Sequence, residues 1–323
     1  MRGESFFVVG GAGFIGSHFT DRLLADPAVR RVTLFDNFSC GREWHYAHHA
    51  GDDRLRVVRA DVKDLPALRA AMDGHDVVIH LASNPDIARA ATEPSVDFWQ
   101  GTALTHNVVE AMRTSSAKRI LYASGSGVYG DLGEREATED HGPLVPVSTY
   151  GASKLAGEAL ISAFVECFHL HATIFRFGNV VGPRGTHGAA LDFLKKLRDA
   201  RTYLEVLGDG RQSKPYLFVT DCVDGMLFGL EHAKEKLNIH NLAPSDATSV
   251  ARIAELCVAA SPYPDAAIRY TGGDRGWPGD VPRSRMDPSK LAALGFRVSL
   301  TSDQAVERAV AALAREVFGE PAA

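Results

Sequence analysis

Apolar positions along the first half of the chain follow two rhythms. Short unbroken runs, "SFFVVG" (5–10), "RVTLF" (31–35), "LRVVRA" (55–60), "DVVIHLA" (76–82), "RILYAS" (119–124) and "ATIFRF" (172–177), predict buried strands. Between them, "FIGSHFTDRLLAD", "LPALRAAMDG", "SVDFWQGTALTHNVVEAMR" and "YGASKLAGEALISAFVECF" space their apolar residues as helices do. Strand–helix alternation of this kind predicts an α/β fold with a doubly wound parallel sheet covered on both faces. After Asn179 the rhythm loosens. Pro and Gly gather in "GPRGTHG", "LGDGRQSKP" and "GGDRGWPGDVP" around helical stretches at 188–200 and 301–318. That change predicts a smaller, loop-rich C-terminal domain, with no repeat or long linker dividing the chain.

Composition acts mainly by exclusion. The 323 residues are 45% hydrophobic and 23% charged, as ordinary globular chains are. No apolar run approaches the roughly 20 residues of a membrane helix, and "MRGESFFVVGG" has no export-signal pattern. Cys40, Cys167, Cys222 and Cys257 are far apart, without a C-x-x-C, so a reduced cytoplasmic setting is expected. A net charge of −5 argues against a nucleic-acid or membrane-surface binder. The histidines of "HYAHHA" (45–49) look like a metal patch. No carboxylate follows at ligand spacing, so a solvated loop is expected and no metal.

Chemistry enters with the glycines. "VVGGAGFIGSH" places Gly11, Gly13 and Gly16 as G-x-G-x-x-G between the first strand and first helix. Such glycines let backbone approach a pyrophosphate, and the helix start offers free N–H groups. Asp36 ends the second strand 20 residues after Gly16, where a carboxylate can accept both hydroxyls of a ribose. It would repel a 2′-phosphate, so NAD is expected rather than NADP. Asp61, past the third strand, is placed either to meet an adenine amino group or to form a turn. "STYGASK" sets Tyr150 and Lys154 four apart on one helix face, where an ammonium can stabilise a phenolate. The small-residue stretch "ASGSGVYG" (123–130) raises a further question: whether Ser124 or Ser126, flanking Gly125, carries chemistry.

Together these features resemble the extended short-chain dehydrogenase/reductase superfamily, and within it the NAD-dependent epimerase/dehydratase enzymes of the UDP-glucose 4-epimerase type. "GGAGFIGSH", "DNFSCG", "HLAS", "VYG", "YGASK", "RFGNVVGPR", "LGDGRQ" and "RGWPGDVP" occur in the family's order over nearly the whole chain. The resemblance implies a Rossmann-type NAD domain (1–178 plus about 217–243) and a nucleotide-sugar domain (179–216 plus about 244–323). It implies a homodimer built on helices 95–113 and 149–168, and a UDP-sugar or other nucleotide-sugar substrate. Cofactor contacts would run through Gly10, Gly11, Gly13, Phe14, Ile15, Gly16, Asp36, Asn37, Asp61, Val62, Leu81 and Ala82, with Tyr150 and Lys154. Tyr150 would be the base at the sugar 4-hydroxyl, and Lys154 would tune it. Asn179, Lys214, Arg275 and Asp280 would hold the nucleotide, while Ser284 would line the sugar pocket near C2. An inward Arg283 or Arg285 would instead favour a uronic acid.

Two positions depart from the family. Where relatives carry Ser or Thr four residues before the tyrosine of V-Y-G, this chain has Gly125, which makes Ser126 a better stand-in than Ser124. Relatives often carry Asn where Gly101 stands. The Asp and Glu of the related 4,6-dehydratases are replaced by Ser126 and Gly127, which ranks dehydration lower. A ketoreductase or decarboxylase on the same scaffold, and a non-catalytic dinucleotide sensor, remain as alternatives. The intact Tyr150–Lys154 pair speaks against the sensor.

Overall fold

Ser5–Val9, buried along its whole length, lies within a seven-stranded sheet. The strands lie in the order Leu237–Leu242, His171–Phe177, Arg119–Ala123, Val77–His80, Ser5–Val9, Arg31–Asp36, Leu55–Arg59. The five pairings from His171–Phe177 across to Leu55–Arg59 are parallel. This computed structural model describes residues 3–84, 90, 92–277 and 279–319. Strand order reverses between Ser5–Val9 and Val77–His80, and in such sheets ligands bind beyond the carboxyl ends of the strands at that reversal. Leu55–Arg59 departs from the expected buried strand. It forms the sheet edge, paired on one side only, and Arg56 and Arg59 project to solvent.

The helices fall where apolar spacing predicts them, with one irregularity. The segment 95–114 is not uniform: Ser95–Asp97 leads into a π-helical turn, Phe98–Thr102, and then into the α-helix Ala103–Thr114. Gly101 lies in that wide turn. A Cβ there would come 2.6 Å from Ser153 Oγ, so the asparagine of relatives would collide with the helix Thr149–Phe168.

Two compact units result. The first comprises Met1–Val128, Thr149–Arg176 and Val223–His240. Its core joins Phe7, Phe35, Met72, Val78, Val108, Ile120, Tyr122, Ile161 and Ile174. The second comprises Tyr129–Ser148, Phe177–Cys222 and Asn241–Ala323. It contains three two-stranded pairings: Asn179–Val181 with Tyr216–Phe218, Ser213–Lys214 with Thr248–Ser249, and Tyr203–Val206 with Ala267–Tyr270. Its helices Ala189–Ala200, Val250–Ala260 and Ser302–Phe318 share a separate core around Leu194, Leu204, Ile253 and Val310. Thr301 and Gln304 close a reciprocal capping box at the start of the last helix. No helix among the described residues is long and apolar enough to cross a membrane.

Candidate active site

The glycine turn is shaped by what surrounds it. Gly10 has φ +81°, and a Cβ would sit 2.9 Å from the Ala82 nitrogen. At Gly16 a Cβ would meet the carbonyl oxygens of Gly10 and Gly11 at 2.6 Å, so only glycine lets the helix begin this close to the strand. Gly13 caps Phe14–Leu24 with no side-chain hydrogen bond to the first turn. Its N–H groups and positive dipole therefore suit a pyrophosphate. Phe14 is buried and Ile15 half-buried on that first turn.

The Asp36 carboxylate is 8% exposed and accepts from the backbone nitrogens of Ala12 (3.0 Å) and Phe38 (2.7 Å). Burial pushes its carboxyl up, against the pull of those two N–H donors. Lone pairs remain to accept a ribose diol. Asn37 donates to Asp61 at 3.1 Å, and Asp61 also accepts from the Lys63 nitrogen at 2.9 Å. Leu81 and Ala82 follow the fourth strand, both donating to Val9 O at 2.9 and 3.1 Å. Val62 packs its side chain into the core, 6% exposed, and its carbonyl accepts from Asn107. These donors and acceptors fit NAD.

Tyr150 and Lys154 share one face of Thr149–Phe168 as the spacing predicts, yet they do not simply charge-pair. Lys154 is 4% exposed and donates to Ala123 O at 2.8 Å, with Nζ 5.6 Å from the centre of the Tyr150 ring. Burial pushes Tyr150 up to about 12 and Lys154 down to about 8. The expected lowering of the phenol is thus outweighed by desolvation in this structure. What opposes it is a hydrogen bond with Ser83, which sequence reasoning passed over inside "HLAS". Asp97, 1% exposed and also missed, accepts from Asn84 (2.8 Å) and Thr149 (2.7 Å). With Glu158, it helps Lys154 hold its proton.

The two serines part company. Ser124 is buried and donates to Glu158 Oε1 at 2.5 Å, while Glu158 forms a buried ion pair with Arg176 at 2.7 Å. Its hydroxyl is held inside the unit. Ser126 opens the turn Ser126–Tyr129, is half-buried, and shows no hydrogen bond among the described residues. A Cβ at Gly125 would meet nothing within 4 Å. The space that a relative's hydroxyl-bearing side chain needs is therefore open here.

The second unit gathers three of the predicted nucleotide residues. Lys214 Nζ lies 2.6 Å from Asp280 Oδ1, Gly276 N donates to Oδ2 at 3.1 Å, and Arg275 donates to the Asp280 carbonyl at 2.7 Å. Arg275 also pairs with Asp131 at 2.7 Å. Asn179 is exposed on its short strand and hydrogen-bonds Tyr216, whose phenol burial pushes up to about 12. Ser284 donates through its nitrogen to Ser213 O at 3.1 Å. Arg283 and Arg285 both pair with Glu134, the latter at 3.8 Å. Pro278 of "RGWPGDVP" lies outside the described residues.

Known proteins resemble this chain in sequence and fold. The model of the NAD dependent epimerase/dehydratase family matches residues 6–243. A UDP-glucose 4-epimerase of Mycolicibacterium smegmatis is 33% identical over 227 residues, covering 68% of this chain and 71% of that protein. A dTDP-glucose 4,6-dehydratase of an Actinoplanes species is 29% identical over 316 residues, covering 94% of this chain and 96% of that protein. Among solved structures, a UDP-galactose 4-epimerase superposes with a TM-score of 0.83 at 33% identity, covering 97% of this chain and 99% of that one. The UDP-glucose 4-epimerase of Thermus thermophilus, solved with NAD, gives 0.83 at 25% identity, covering 96% of this chain and 98% of that one.

Proposed function

The chain belongs to the NAD-dependent epimerase/dehydratase family, and on that premise we propose that it is a nucleotide-sugar 4-epimerase of the UDP-glucose/UDP-galactose type. The observation that carries this is the group of Tyr150, buried Lys154 and Ser83, in the same unit as the open glycine helix start and Asp36. A base flanked by Lys154 and Ser83 serves proton transfer, for which a dinucleotide sensor has no use. Held by the glycine turn and Asp36, NAD would supply reversible hydride acceptance for the sugar's C4, so that no coenzyme would be consumed over a cycle.

The chain's own residues handle the proton. Tyr150 takes it from the 4-hydroxyl as C4 is oxidised and returns it on re-reduction. Lys154 stays cationic at neutral pH, sustained by Glu158 and Asp97, and favours the phenolate form in which Tyr150 takes that proton. Ser83 holds the phenol in place, and Ser126 offers the substrate a hydroxyl. Asp36 and the glycine turn orient the adenosine and pyrophosphate ends. In the second unit Lys214 and Arg275 suit a diphosphate, Asp280 a ribose diol, and Asn179 a phosphate oxygen. Ser284 is small and would leave room for an N-acetylhexosamine, and its neighbours Arg283 and Arg285 are engaged by Glu134.

Dehydration is less well supported, because Ser126 and Gly127 supply no carboxyl. For assembly, Phe98 and Trp99 are 51% and 56% exposed on the π-helical turn, and Phe168 is 40% exposed at the end of Thr149–Phe168. A second copy of the chain would cover these aromatics, giving a homodimer. The test is incubation of purified protein with UDP-, dTDP-, GDP- and CDP-sugars, with products resolved by NMR. Interconversion of C4 epimers without added coenzyme is expected, and Tyr150→Phe should abolish it. Stoichiometric consumption of a coenzyme, or loss of water from the sugar, would overturn the assignment.

A further inference from the structure

The segment Glu43–His49, expected to be a solvated loop, is pinned to the glycine-turn helix. His45 is 1% exposed, with Nδ1 2.9 Å from the Ala12 carbonyl. His48 and His49 turn the other way, and the carboxylate that the local sequence lacked comes from 27 residues earlier. Asp21, on Phe14–Leu24, receives both Nε2 atoms on Oδ1 at 2.8 Å. The two imidazoles lie 4.1 Å apart between ring centres, and the three ligand atoms all fall within 4.8 Å of one another.

We propose that Asp21, His48 and His49 form a binding site for a divalent transition-metal ion of the zinc class, joining the glycine-turn helix to the segment that follows Asp36. Two imidazoles and one carboxylate are a donor set that suits Zn²⁺, Co²⁺ or Ni²⁺ over Mg²⁺ or Ca²⁺, which take oxygen ligands. Zinc bonds of about 2.0–2.2 Å to nitrogen and oxygen imply ligand atoms roughly 3.3 Å apart in a tetrahedron. Reaching that spacing from 2.8 Å needs only modest side-chain rotation, and the His48 side chain is 53% exposed. The proton balance closes by a tautomer change: each neutral ring, which donates Nε2–H to Asp21 without the metal, carries its one proton on Nδ1 once Nε2 binds the ion. Water completes the coordination. The site lies apart from Tyr150 and Lys154 in the sequence and shares no residue with them, so it ties down the cofactor-side scaffold and takes no part in proton transfer.

The test uses the full-length untagged chain with its NAD, titrated with Zn²⁺ by calorimetry and with Co²⁺ by absorption. The expected result is one equivalent bound, d–d bands of a low-coordinate site without a thiolate charge-transfer band, and a raised melting temperature. Affinity should fall on the order of 100-fold in Asp21→Asn and in the double variant His48→Gln/His49→Gln. Both variants change partly exposed side chains, and circular dichroism with NAD retention checks that they are folded. No saturable binding, binding undiminished in either variant, or a thiolate band pointing to Cys40 would each overturn the proposal.

Discussion

Adding a hydroxyl at Gly125 probes the active centre more sharply than removing one. A Cβ there meets no heavy atom within 4 Å, and the residue lies outside the left-handed region, so Gly125→Ser introduces no strain. Restricting the unfolded chain should stabilise the protein by about 0.4–1 kcal/mol. The catalytic effect is larger. A positioned proton-transfer group contributes about 10²–10⁴ in rate, and on the proposed reading Ser126 would supply part of that already. Gly125→Ser should therefore raise kcat by about tenfold, or about 1.4 kcal/mol of barrier. In the wild type, Ser126→Ala should lower kcat by about 10². In the Gly125→Ser background the same change should cost far less, because the new hydroxyl takes over. Initial rates of UDP-glucose/UDP-galactose interconversion, followed by NMR for all four proteins of the cycle, read this directly. A Gly125→Ser enzyme within twofold of wild type, with additive effects across the cycle, would refute a substrate-facing hydroxyl at this strand end.

Ser124→Ala should act on stability instead, removing a hydrogen bond to a buried carboxylate worth about 1.5–3 kcal/mol. Thermal melting should show the loss with kcat changed only a few-fold, and a large kcat effect with an unchanged melting temperature would contradict this. Lys154, lowered to about 8, carries its charge below that pH and loses it above, so kcat/KM should fall as pH rises through about 8. Lys154→Arg keeps its charge at all these pH values and should abolish that alkaline limb, whatever its absolute rate. An unchanged limb would assign the titration to another group.

What could be read from the sequence was set by distance along the chain. Gly11, Gly13 and Gly16 act within one turn, Tyr150 and Lys154 within one helix face, and the strand runs through contiguous apolar residues. Their spacing alone shows which of them stand together. The Ser124–Glu158–Arg176 cluster, the Ser83–Tyr150 hydrogen bond and the Asp21–His48–His49 group join residues from different elements. No local pattern announces such meetings. The raised phenol of Tyr150 was hidden for a related reason: helical spacing shows the neighbouring ammonium but not the desolvation that outweighs it. The glycine at 101 likewise answers to a distant residue, because Ser153 occupies the room a side chain there would need.

The Lys214–Asp280 contact bears on selectivity. At 2.6 Å, with Asp280 only 3% exposed, each ion already satisfies the other. An anion that draws Lys214 away strands a buried carboxylate unless it brings its own donors for Asp280. Pyrophosphate or a sugar phosphate offers charge without such a diol, and a free nucleoside offers the diol without the charge. Only a molecule carrying both, on one skeleton, exchanges the internal pair for two new partners at once. If Lys214 and Asp280 hold the nucleotide as proposed, the contact would work as a gatekeeper, keeping a cationic residue closed to small phosphates that lack a diol.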